Sequence, residues 1–169
     1  MSTRSAIIVK GQGLYGGACA TRLYKHCDGY PTDNLPLIRD AIKLASRLQA
    51  ESNKRWKESK GITVDCFSGA VVAASLSVYG LAAQVEETAK DIASVCGNQG
   101  DIEWVYIVDL DAESVKVYRG STYRGEFLKR GTVDPCVYAD SISEEYKASE
   151  KRAIQSAVRS IKKLGFKVN

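Results

Sequence analysis

Residues 101–110, Asp-Ile-Glu-Trp-Val-Tyr-Ile-Val-Asp-Leu, constrain this chain more than any other stretch. The middle of the run is apolar at every position, and a strand turns successive side chains to opposite faces. Both faces of this strand are therefore apolar, as in the middle of a sheet covered on each side. Asp111-Ala112-Glu113 supplies a turn, and Val115 to Arg119 returns as a second strand, so residues 102–110 and 115–119 form a hairpin.

A second hairpin opens the chain. Residues 4–10 are short and β-branched, residues 11–17 hold four glycines, and residues 20–26 alternate. Between and after the hairpins the apolar period changes to three and four. Leu35, Ile38, Ile42, Ala45 and Leu48 form one stripe, which predicts a helix over 34–58, capped by Asp33 or Asn34 with Pro36 in its first turn. A small-residue, apolar stretch predicts a buried helix over 68–79. Residues 84–95 read as a third, weaker helix ended by Gly97. Ile154, Ala157, Val158, Ile161 and Leu164 mark a helix over 143–164, with Ser143 as its cap and Gly165 as its end. The expectation is one α+β domain over residues 1–169, an antiparallel sheet of two hairpins packed with these four helices. The edges such a sheet leaves open also suit a homodimer.

The class is bounded by what the composition lacks. The five cysteines, Cys19, Cys27, Cys66, Cys96 and Cys136, are odd in number and include no Cys-x-x-Cys pair. They support neither a disulfide framework nor a zinc ribbon and suit a reducing cytoplasm. With a single histidine, no metal site and no cofactor are expected. Neither a signal-type apolar segment nor a run of the ~18–20 apolar residues that span a bilayer is present, so no membrane role is expected. A net charge of +4 permits a polyanionic partner without requiring one. Basic side chains gather on two helices: Arg39, Lys43, Arg47, Lys54, Arg55, Lys57 and Lys60 on the first, and Lys147, Lys151, Arg152, Arg159, Lys162, Lys163 and Lys167 on the last. Acidic residues interrupt both sets, so solvated helix faces are the simpler account and a nucleic-acid surface the alternative.

Residues 11–16, Gly-Gln-Gly-Leu-Tyr-Gly, match G-x-G-x-x-G. That motif binds a dinucleotide only when a helix follows it, and here a strand follows. The densest group of functional side chains comes next. Arg22, Tyr24 and His26 share one face of the predicted strand, with Arg4 alongside and Asp28 and Tyr30 at its rim. A cation, a stacking ring and an imidazole in one row suit a small anionic ligand. His26 with Asp28 behind it would also make an acid–base pair for a hydrolase or nuclease. A structural account stands beside these two: Asp28 capping the turn, Tyr30-Pro31 packing on the first helix, and His26 satisfying a buried backbone group.

The opening Thr3-Arg4-Ser5, the run Arg22-Leu23-Tyr24-Lys25-His26 followed by Asp28-Gly29-Tyr30-Pro31, and the later run from Gly100 to Leu110 resemble a family of small uncharacterised phage and prophage proteins. Members similar to this chain often carry Trp at the position of Cys27, which weighs against a catalytic thiol there. The resemblance implies a viral accessory setting in the host cytoplasm, in which small proteins commonly disable a host factor or sequester a signalling nucleotide. Because polar and aromatic residues crowd one hairpin end without a recognisable catalytic set, the expectation is a non-catalytic protein that sequesters or inhibits a host factor or a small anionic or nucleotide ligand. Arg4, Arg22, Tyr24, His26, Asp28 and Tyr30 would form or border that site.

Overall fold

Among the described residues of this computed structural model, 3–79, 83–96, 101–142 and 144–169, six strands form one sheet in the order β3-β2-β1-β4-β5-β6. The strands are β1 (Ser5–Gln12), β2 (Ala18–Lys25), β3 (Gln84–Ala89), β4 (Trp104–Asp109), β5 (Ser114–Arg119) and β6 (Lys167–Val168). Both predicted hairpins are present, β1 against β2 and β4 against β5. They are joined through β1 and β4, which run parallel with Ser5 opposite Trp104 and Lys10 opposite Asp109. The short β6 is also parallel to β5. The sheet is thus mixed rather than wholly antiparallel. A turn dictates pairing only within its own hairpin, whereas β1 and β4 meet because each is apolar on both faces and both need central positions.

Alternation along the strands divides the core in two. Ile7, Val9, Leu23, Trp104, Tyr106, Val108, Val115 and Val117 point to one face. Three helices cover it: α1 (Pro31–Trp56), α2 (Val64–Tyr79) and α5 (Glu144–Lys163). Ala6, Ile8, Ala20, Val105, Ile107 and Tyr118 point to the other. That face is covered more thinly, by the one-turn helix α3 (Ile92–Val95) and by Phe127 of a 3-10 segment (Tyr123–Arg130). A further short helix, α4 (Pro135–Asp140), packs on α5 and sets Tyr138 edge-on against Trp104, ring centroids 4.8 Å apart.

Four sequence expectations change. The helix expected over 84–95 is instead the edge strand β3 followed by α3. Its Gln, Glu and Ala residues favour helix intrinsically, but the outer edge of β2 carries backbone groups that need partners, and β3 supplies them with a bulge opposite Arg22 and Leu23. What remains helical is capped by Asp91, whose carboxylate accepts the Ser94 N–H at 2.8 Å. Helix α1 starts at Pro31 rather than after Asp33 or Asn34, since proline is suited to a first helical position. Helix α2 starts at Val64, four residues before the expected Ser68, where Thr63 Oγ1 accepts the Cys66 N–H. The polar connection before the last helix holds both the 3-10 segment and α4. Ser143, expected to cap α5, and Gly97, expected to end the third helix, lie outside the described residues.

Candidate functional site

Strand β2 turns Ala20, Arg22 and Tyr24 to the thinly covered face and Leu23 and Lys25 to the helical face. The ladder ends at Ser5 opposite Lys25; Arg4 and His26 are the next residue on each side, and Arg4 lies close enough to act on the Tyr24 phenol. The Tyr24 hydroxyl lies 3.1 Å from His26 Nδ1, and Arg4 pairs with Asp101. Arg4, Arg22, Tyr24 and His26 therefore form one row, as the alternation predicts. The row is not an open anion site at its centre. Arg22 is only 6 % exposed. Its Nη1 donates to the Cys96 carbonyl at 3.0 Å, its Nε lies 3.0 Å from Glu86 Oε2, and its Nη2 lies 3.6 Å from Glu87. Burial raises the Tyr24 phenol above its ordinary pKa, partly countered by Arg4. At Nδ1, His26 meets a phenol in the position where an acid–base pair would hold an orienting carboxylate.

Asp28, Gly29 and Tyr30 do something different. Asp28 adopts a left-handed backbone (φ 53°), and its carbonyl accepts Lys25 Nζ at 2.7 Å. Gly29 donates its N–H to the Thr3 carbonyl at 3.0 Å and accepts the Tyr106 hydroxyl at 2.8 Å. A Cβ at Gly29 would come within 2.9 Å of Arg4 C, Ser5 Cβ and Thr3 O, so only glycine fits. Tyr30 precedes the first residue of α1, and beneath it the buried Asn34 donates to Ser5 Oγ at 3.0 Å. Burial lowers the Lys25 ammonium pKa, with Asp33 and Asp28 countering. These contacts fasten the start of β1, the centre of β4 and the head of α1 to one another.

Open concavity lies at the opposite end of the sheet, where β1 and β4 finish side by side. A cleft of about 490 Å³ is lined by Lys10, Gly11, Ala18 and Cys19 of the first hairpin, residues 90–93, Asp111 and Leu128. On the other side of the same hairpin a second cleft, about 320 Å³, is lined by Gln12, Gly13, Gly16, residues 60–63, Leu110 and Asp111. The glycine turn between them is fixed: Gly13 and Gly17 share a backbone hydrogen bond, and the Asp65 carboxylate accepts the Leu14 N–H at 2.7 Å. A Cβ on Gly11 would approach Leu110 Cβ to 3.0 Å, so glycine there lets the two strand ends close up. Lys10 Nζ lies 2.6 Å from Asp109, whereas Lys90 is exposed and has no carboxylate partner among the described residues. Burial raises the Cys19 thiol pKa, and Asp65 adds to the shift, which keeps the thiol protonated at neutral pH.

Sequence reasoning missed this end because Lys90, Ile92 and Leu128 join the hairpin only through the sheet topology. The one local signal is a turn longer and richer in glycine than a two-residue hairpin needs. Among the described residues, no three His, Cys, Asp or Glu side chains gather as metal ligands would, and no helix is long and apolar enough to cross a membrane. No family model matches the chain, and no curated protein and no solved structure matches it.

Proposed function

We propose that this chain is a non-catalytic binding protein that holds a small anionic ligand of nucleotide type in the larger cleft at the base of the glycine hairpin. One observation carries the reading: the cleft sits at the carboxyl ends of the adjacent parallel strands β1 and β4, where open sheets that contain parallel strands bind ligands. Its volume, about 490 Å³, falls within the roughly 300–1,000 Å³ usual for small-molecule sites. Ile92, Ala93 and Leu128 offer apolar walls for a ring, and Lys90 offers an uncommitted cation for a phosphate. Asp91, the nearest acid in sequence, is engaged in capping α3 and does not pair with Lys90. The viral accessory setting implied by the resemblance suits sequestration, since capture of a signalling nucleotide needs affinity and no turnover.

In this reading the row from Arg4 to His26 supports the site rather than forming it. Arg22 holds the carbonyl of Cys96, the residue that ends α3, and α3 is a wall of the cleft. Isothermal titration against a panel of mono-, di- and cyclic dinucleotides tests the proposal. At least one should bind, and Lys90→Ala should weaken it about tenfold, the value of one charge-assisted contact of roughly 1.4 kcal/mol. Absence of binding across the panel, or binding unchanged by Lys90→Ala, overturns it.

A further inference from the structure

The last helix leaves a second surface that the cleft does not use. From Lys151 to Asn169 the chain carries six basic residues and no acidic one. Lys151 pairs with Asp140 of α4. Arg152, Arg159, Lys162 and Lys163 are exposed, and none of them pairs with a carboxylate among the described residues. Helical geometry aligns three of the four. Seven residues bring Arg159 back to within about 20° of Arg152, and four more set Lys163 about 40° further on, so the three cations lie along a strip about 16 Å long. The buried residues Ile154, Ala157, Val158 and Ile161 lie on the opposite side of the helix. The acids of α5 stand in its first two turns, ahead of the strip: Glu150 lies about 160° around the axis from Arg152, and Glu145 is in line with the strip about 10 Å beyond its amino end.

From this arrangement we infer that the outward strip of α5 binds the phosphate backbone of double-stranded nucleic acid, without reading sequence. Three cations with no carboxylate partner among the described residues, set along one face of a continuous helix, can track a polyanion whose charges follow every ~1.7 Å of axis. The apolar stripe of α5 is packed into the core, so nothing on this face is left to enter a lipid surface as an amphipathic membrane helix does. No aromatic side chain stands on the strip to stack an unpaired base, which favours a duplex over a single strand. Guanidinium groups at two of the three positions match phosphate oxygens in a forked geometry.

Fluorescence anisotropy with a labelled 20-base-pair duplex of arbitrary sequence tests the inference on the full chain. Three phosphate contacts give a slope of about −2.7 in log affinity against log salt, hence about a 40-fold loss between 50 and 200 mM salt. The charge reversals Arg152→Glu, Arg159→Glu and Lys163→Glu together should abolish binding at 50 mM, and Arg159→Gln alone should reduce the slope by about one. The paired reversal Lys43→Glu, Arg47→Glu on α1 should leave the affinity within twofold. Four results would overturn the inference: no binding at 50 mM salt, an equal loss from the α1 pair, tighter binding to a single strand of the same length, or binding to phosphatidylserine vesicles in place of the duplex.

Discussion

Replacing Gly29 by alanine separates a structural role for the Asp28–Pro31 run from a ligand-binding one. The added methyl would overlap Arg4 C and Thr3 O, both backbone atoms of the segment leading into β1, and Ser5 Cβ, all at 2.9 Å. None of these is the end of a flexible side chain, so either the start of β1 or the head of α1 must move. Overpacking of this sort costs about 1–3 kcal/mol. Movement also strains two hydrogen bonds, Gly29 N–H to Thr3 and Tyr106 Oη to the Gly29 carbonyl, each worth about 0.5–1.5 kcal/mol. The sum is about 2–6 kcal/mol, or a melting temperature lowered by roughly 5–20 °C in a chain of this size. Gly61→Ala is the control. Nothing lies within 4 Å of a Cβ there and its φ is not positive, so the change should be neutral or stabilising by up to about 1 kcal/mol. Urea titrations followed by circular dichroism give both values. A Gly29→Ala protein as stable as wild type would refute the fastening role, and the run would then have to be read again as a site.

Two further outcomes follow from buried polar groups. Arg22→Met should cost about 2–4 kcal/mol in the same titrations, because it removes a nearly buried cation from Glu86 and Glu87 and leaves the Cys96 carbonyl without its donor; a loss below about 0.5 kcal/mol would show the pair to be incidental. Stability should fall as pH rises above about 9. Burial raises the thiol pKa values of Cys19, Cys66, Cys96 and Cys136 and the phenol values of Tyr24, Tyr106, Tyr118 and Tyr138, so the unfolded chain releases these protons first and the folded state loses ground. Lys25 acts in the opposite sense: its pKa is lowered by burial, so deprotonation below 10.5 relieves a cost in the folded state. Eight groups against one predict a urea midpoint that declines from pH 9 to 10.5, and a midpoint that stays level or rises would contradict the burial of these groups.

The parts of the fold visible in the sequence are those fixed by local chemistry. Period-two alternation and turn residues gave both hairpins, and apolarity on both faces marked β4 as central. Three- and four-residue spacing gave the stripes of α1 and α5. The parallel contact between β1 and β4 joins residues about a hundred positions apart and leaves no local trace. The same divide runs through the site. That Arg22, Tyr24 and His26 share a face follows from the period of a strand and was legible. That Arg22 is buried and neutralised was not, because its partners Glu86 and Glu87 lie in a stretch whose propensities favour helix. One edge strand taken for a helix was enough to leave a guanidinium looking free.

Arg22 also ties β2 to α3, and this bears on why so much polar chemistry crowds that strand. Its side chain reaches from the row beside Tyr24 to the carbonyl that ends α3, and α3 has only one turn of its own. A four-residue helix does not hold its place by backbone hydrogen bonds alone. Val95 and Cys96 are buried on the sheet, the Asp91 cap closes the amino end, and the Arg22 guanidinium closes the carboxyl end. The wall of the larger cleft therefore depends on a buried charge in the middle of β2, four residues along from Ala18 of the cleft lining. A substitution at Arg22 would reach the cleft without touching anything bound there, so a loss of affinity in such a variant would report a displaced wall and not a lost contact.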